Sequence, residues 1–104
     1  MAQIKWTESA LEDLNQIAEY IALDKPNAAK KLVQDVFETV SRLKQFPESG
    51  RLPDELKGST YREVIIGPCR IFYRIEKNKV YILYVMRSER ELRQFILQDR
   101  NQQL

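Results

Sequence analysis

Arg70 and Arg87 are the residues of this chain whose setting most invites chemistry. They lie in two strand-like runs, CRIFYRIE and KVYILYVMR, where an arginine faces solvent, a partner or a phosphate. The chain has no histidine and a single cysteine, Cys69. A Ser–His or Cys–His catalytic pair, a structural zinc and an internal disulfide are therefore excluded. Cys69 itself reads as a small buried apolar residue. What remains is cationic: guanidinium groups suited to an anion or an acidic partner, with no cofactor, metal or small-molecule substrate indicated.

The elements that must position these arginines can be read from spacing. QIKW places Ile4 and Trp6 two apart, as in a short strand, and Thr7 is a good N-cap for a helix whose first turn is acidic. Leu11, Leu14, Ile17, Ala18 and Ile21 then recur at helical spacing. LDKPN ends this helix and opens a second, with Asp24 as its cap and Pro26 in its first turn. The second apolar face runs from Ala29 to about Phe46, where FPESGRLP breaks the pattern. From Tyr61 three runs rich in β-branched and aromatic residues follow, YREVII, CRIFYRIE and KVYILYVMR, separated by GP and KN. They predict an antiparallel meander, and LRQFILQ allows a short helix before a frayed end. The expected class is α+β in one domain spanning 1–104, in the order β-α-α-β-β-β, with a helical hairpin on one face of an antiparallel sheet.

A two-residue turn at Lys77 and Asn78 would pair Ile75 with Val80, Tyr73 with Ile82, Ile71 with Tyr84 and Cys69 with Met86 on the face the helices cover. The other face would then carry Arg70 opposite Val85, Phe72 opposite Leu83 and Arg74 opposite Tyr81, with Arg87 diagonal to Arg70. On this register, which assumes no bulge, the two arginines share one surface around an apolar floor of Phe72, Leu83 and Val85. Such a floor requires a tail or another chain to cover it. The alternative is that the arginine stems shield the sheet while carboxylates such as Glu63 or Glu89 pair with the guanidiniums.

Charge is unevenly spread. Residues 7–24 hold five acidic and no basic side chains, whereas residues 51–104 hold eleven basic and seven acidic ones. An acidic partner for the C-terminal half follows, or simply solvated charge. No apolar run reaches the ~18 residues of a membrane span, and MAQIKWTESA lacks the apolar core of a secretory signal. A cytoplasmic location is the expectation.

In their order and spacing, FPESGR after the helical hairpin, YREVIIGPCRIFYRI, and a closing strand followed by VMRSER resemble the RelE/ParE superfamily, the toxins of bacterial type II toxin–antitoxin pairs. The resemblance covers nearly the whole chain. It implies the β-α-α-β-β-β fold, a cognate antitoxin, and growth arrest by free toxin. RelE-like members cut messenger RNA in the ribosome; ParE-like members inhibit DNA gyrase and are not known as nucleases.

Ribosomal cleavage requires a proton acceptor, a proton donor and cations on the phosphate. Carried over by motif, Arg70 matches the arginine of the family's arginine–hydrophobic–hydrophobic–tyrosine strand, and Arg62 the first of two basic positions on the preceding strand. The second is Val64, Arg87 stands where many members have histidine, and Arg90 matches a later arginine. Gln94 and Phe95 occupy the region of an expected tyrosine. The pattern is closer to ParE-like members, which implies a gyrase inhibitor with no catalytic residues and with Arg62, Arg70, Arg87 and Arg90 contacting a target or anion. The RelE-like alternative would use Arg70, Arg87 and Arg90 on phosphates and Tyr84 or Lys57 for proton transfer on a ribosome-bound mRNA; a third possibility is a member that only binds an antitoxin-like partner. The antitoxin would wrap the toxin as an acidic segment that folds on binding, anchoring on Phe72, Arg74, Tyr81, Leu83 and Val85 or on the outside of the helical hairpin.

Overall fold

The computed structural model describes residues 1–104. Strand β1 (Gln3–Trp6) leads into helices α1 (Glu8–Ala22) and α2 (Pro26–Ser41). Three short 3₁₀ turns follow at Arg42–Lys44, Pro47–Ser49 and Asp54–Leu56. Strands β2 (Tyr61–Ile66), β3 (Cys69–Glu76) and β4 (Lys79–Arg87) and a final helix α3 (Gln94–Gln102) complete the chain. Thr7 caps α1 as its residue type predicts, its Oγ1 accepting from the Ala10 amide at 3.2 Å. At α2 the expected cap fails. Lys25 occupies the N-cap with no side-chain bond, and Pro26 alone marks the helix start.

The four strands form one sheet in the order β1-β4-β3-β2. β2, β3 and β4 make the expected antiparallel meander. β1 instead runs parallel to β4, pairing Ile4 with Val80 and Trp6 with Ile82, so the sheet is mixed rather than antiparallel throughout. The helical hairpin between β1 and the meander supplies the long crossover that a parallel pair needs. Its apolar stripe, including Ala10, Leu14, Leu32, Val36 and Val40, closes the main core over Ile71, Tyr73, Val80, Ile82 and Val85.

The β3–β4 register starts as counted, with Glu76 opposite Lys79, Ile75 opposite Val80 and Tyr73 opposite Ile82. A bulge then intervenes. Phe72 faces Tyr84, Ile71 faces Val85, Arg70 faces Met86 and Cys69 faces Arg87, leaving Leu83 as the extra residue of β4. The bulge is held from outside the meander: the Ile82 carbonyl accepts from both the Thr7 amide and Thr7 Oγ1, and the Leu83 carbonyl accepts from Arg100 at 3.1 Å. Beyond this point every β4 side chain changes face. Val85 enters the main core, and Arg87 moves to the helix side.

The second sheet face is covered at one end. Phe72, Leu83 and Met86 pack with Leu56 and with Leu97 of α3 in a second core. The short C-terminal helix expected from LRQFILQ is therefore the tail that buries the apolar floor. Phe72 and Leu83 are fully buried there, and Val85 is buried on the opposite side, so these three residues form no antitoxin-binding surface in the folded chain. Arg74 and Tyr81 remain half-buried.

Candidate functional site

The four arginines expected to form one site are distributed among three environments. Arg70 is 9% exposed and lies between two carboxylates. Its Nε and Nη2 donate to the two oxygens of Glu63, both at 2.9 Å, and its Nη1 and Nη2 donate to Glu55 at 2.7 and 2.9 Å. Arg51 also approaches Glu63, its Nε 3.6 Å from the Oε2 that Arg70 binds. Four of the five N–H groups of a guanidinium are thus used, and the Arg70 plane also lies 4.9 Å from the centre of the Phe72 ring. The hydrogen bonds from Arg70 hold the Glu55 carboxyl down to about 2, and the same bonds raise Arg70 above its ordinary value. This cluster is a clamp between β2, β3 and the Asp54–Leu56 turn, with no donor set directed at an incoming anion.

Arg62 lies opposite Tyr73 on the helix-covered side, as its register predicts. Its Nη1 donates to the carbonyls of Glu48 and Gly50 at 3.1 and 2.9 Å. Tyr73 Oη completes the same knot: it accepts from the Gly50 amide at 2.9 Å and donates to the Pro47 carbonyl at 2.7 Å. The FPESGR segment is therefore fixed to the sheet by Arg62 and Tyr73. Arg62 is thus engaged within the fold and stands on the face away from Arg70, where the register of YREVII places it.

Arg87 and Arg90 do converge. They line a cleft of about 430 Å³ at the end of β4, bounded on one side by Asp13, Gln16 and Tyr20 of α1 and on the other by Tyr84. The Arg87 guanidinium lies 5.0 Å over the ring of Tyr20, and its Nε pairs with Glu89 at 2.7 Å. Tyr20 is 62% exposed. The expected sharing of one face by Arg70 and Arg87 is overturned: the bulge sends them to opposite sides of the sheet, and each meets a carboxylate, Glu63 and Glu89 respectively.

The cleft sits along an open strand edge. β1 pairs with β4 only as far as Ile82, which leaves the following residues without a strand neighbour on that side. Asp13 substitutes for one, its Oδ2 accepting from the Val85 amide at 3.0 Å. Arg100 of α3 then binds both Asp13 oxygens while donating to the Leu83 carbonyl. Its guanidinium also lies 4.7 Å from the centre of the Tyr84 ring. Asp13, Tyr20, Glu55 and Arg100 were not legible as site residues. The one signal was Asp13 as an acid on α1 next to the apolar position Leu14.

Neither Tyr84 nor Lys57 bonds to Arg70, although the bulge brings Tyr84 onto the same face of the sheet. Tyr84 stands on the second face opposite Phe72, with ring centres 6.1 Å apart, rather than beside Ile71. Lys57 is exposed just after the Asp54–Leu56 turn. Of the antitoxin face only Arg74 and Tyr81 reach solvent, with Arg74 paired to Glu76 at 2.8 Å. No helix is long and apolar enough to cross a membrane.

Residues 4–92 match the family model described as ParE toxin of type II toxin–antitoxin system, parDE. Over 91 residues, covering 86% of the chain, it is 37% identical to Y4kP of Sinorhizobium fredii, of which 91% is covered, and 34% identical to Toxin RelE2 of Caulobacter vibrioides, of which 99% is covered. The fold is similar to a solved chain of the chromosomal ParDE TA system from P. aeruginosa, with a TM-score of 0.73 at 29% identity, covering 86% of this chain and 98% of that one.

Proposed function

This chain belongs to the ParE toxin family of type II toxin–antitoxin systems, and from that premise we propose that it acts by binding DNA gyrase and is held inactive by a cognate antitoxin. The observation that carries the choice of target is the Arg70 clamp. Metal-free cleavage of RNA needs cations free to stabilise charge developing on the phosphate, and the strand arginine that would supply one is neutralised by Glu55 and Glu63. Arg87 is on the other face of the sheet, so the two cannot close on one phosphate.

The accessible group is instead the Arg87–Arg90 cleft with Tyr20 and Tyr84 at its walls, where Arg87 is half-buried and paired with Glu89 and Arg90 is exposed. Arginine and tyrosine around a partly desolvated cleft are the composition of a protein-binding hot spot. In this reading the cleft contacts gyrase, or the antitoxin that competes for it. A second antitoxin anchor is the groove outside the helical hairpin formed by Ala18, Ala22, Ala29 and Val33, which supports the hairpin version of the docking site over the sheet-face version. An acidic antitoxin segment passing from that groove to Arg87 and Arg90 would fold as it binds.

Induced expression in a sensitive host tests the target. The gyrase reading expects a DNA-damage reporter to rise before amino-acid incorporation falls. Prompt loss of incorporation with cut messenger in ribosomes would replace it with the endoribonuclease reading, and harmless expression of folded protein would leave only antitoxin binding.

A further inference from the structure

The part of the second sheet face that α3 leaves uncovered carries an ordered row of side chains. Register across all four strands places Lys5 beside Tyr81, Tyr81 beside Arg74 and Arg74 beside Tyr61. With strands ~4.8 Å apart the row is about 14 Å long. Lys79 lies one row further on the same face, and Lys77 follows at the hairpin turn. Lys5, Lys77 and Lys79 are exposed, while Tyr61, Arg74 and Tyr81 are half-buried. Both tyrosines rest their inner edges on the second core, which fixes them without removing them from solvent. Arg74 lies 5.6 Å from the centre of the Tyr81 ring, which holds its guanidinium against an aromatic support with 20% of the side chain open to solvent.

We propose that this row is a docking surface for the sugar–phosphate backbone of a single-stranded nucleic acid. Four cations meet one carboxylate here, Glu76, which is paired to Arg74. The chain's acidic surplus is elsewhere, on α1. A phosphate strand supplies the complementary charge, and tyrosine or guanidinium planes accept an unpaired base by stacking. A protein partner is less well matched. The adjoining hollow of about 450 Å³ is lined by Gln3, Glu76, Lys77, Asn78, Lys79 and Tyr81, with Tyr81 the one hydrophobic residue available to hold an anchoring side chain. A duplex would offer phosphates but no free base face to the row. The inference goes beyond the gyrase reading, and its test involves neither gyrase nor antitoxin.

The test is fluorescence anisotropy of a labelled 20-nucleotide oligothymidine titrated with the full chain. Saturable binding is expected at 50 mM salt, and about 20-fold weaker binding at 200 mM if about three cations are engaged. Lys5→Glu with Lys79→Glu should weaken binding at least tenfold. Lys5→Gln with Lys79→Gln should weaken it less but in the same direction, which covers failure of the first pair to fold. Lys30→Glu with Lys31→Glu, exposed on α2 across the sheet from the row, should leave it unchanged. No saturable binding at 50 mM, equal losses from both charge-reversal pairs, or tighter binding of a polyglutamate peptide or of a 20-base-pair duplex than of the oligothymidine would overturn the proposal.

Discussion

Arg70 and Glu63 form a two-point ion pair across β2 and β3, Nε to Oε1 and Nη2 to Oε2, each at 2.9 Å, with the carboxylate wholly buried. A buried pair is costly to break from one side, because the surviving charge keeps its desolvation penalty and loses its compensation. Arg70→Ala is expected to destabilise the chain by ~3–5 kcal/mol, read from the shift in the urea midpoint. Arg70→Leu combined with Glu63→Leu should recover much of that loss. A wild-type midpoint for Arg70→Ala would show that the clamp does not hold the meander together.

The Glu55 limb of the same clamp gives a pH dependence. Its carboxyl is lowered from 4.5 to about 2 by Arg70, so the unfolded chain takes up the proton first. The contribution is present above pH 4.5 and is lost as pH falls toward 2. Because Glu55 is more than a third exposed, screening reduces the effect to about 1 kcal/mol. Glu55→Gln should flatten this part of a stability–pH profile; an unchanged acid limb would contradict the pairing.

Gly50 is required by contact rather than by backbone angle. A Cβ there would lie 2.3 Å from Tyr73 Oη and 2.6 Å from its Cε1, while the local φ of −68° suits any residue. Gly50→Ala should therefore cost ~1–3 kcal/mol through overpacking and lower the thermal midpoint. A change within ~0.5 kcal/mol, the range of neutral surface substitutions, would mean that the FPESGR segment moves away freely.

Asp13 takes the place of a missing strand at the Val85 amide, and Arg100 holds it there. Hydrogen exchange at Val85 should be slow despite the open edge and should accelerate at least tenfold in Asp13→Ala, with a smaller acceleration in Arg100→Ala. Fast exchange in the unaltered chain would mean that the edge is not closed by this carboxylate.

The legible part of the fold lay in periodicity and punctuation. The helical stripes, Thr7 and Pro26, the KN turn and the first four pairs of β3 and β4 all follow from local rules, and so does a tail helix carrying an apolar residue onto the sheet. The parallel direction of β1 could not be read, since a four-residue strand carries no mark of its partner. The bulge at Leu83 was equally hidden. It depends on Thr7 and Arg100 reaching two consecutive carbonyls from elsewhere in the chain, and it alone decides that Arg70 and Arg87 face apart. Even so, their pairing with Glu63 and Glu89 was within reach of the sequence, because strand arginines beside available carboxylates are commonly satisfied inside the monomer. Resemblance identified the motifs in order, but their geometry assigns FPESGR, Arg62 and Arg70 to the scaffold and leaves Arg87 and Arg90 at the accessible cleft.

The central claim is that the cleft, rather than a phosphate clamp around Arg70, carries the toxin's action. Its most direct test is plasmid cleavage by purified gyrase with added toxin. The wild-type chain should accumulate gyrase-bound broken DNA, and Arg87→Ala with Arg90→Ala should reduce this at least tenfold while the thermal midpoint stays near wild type. Unbroken plasmid with folded wild-type toxin, alongside cleavage of ribosome-bound messenger by the same protein, would contradict it.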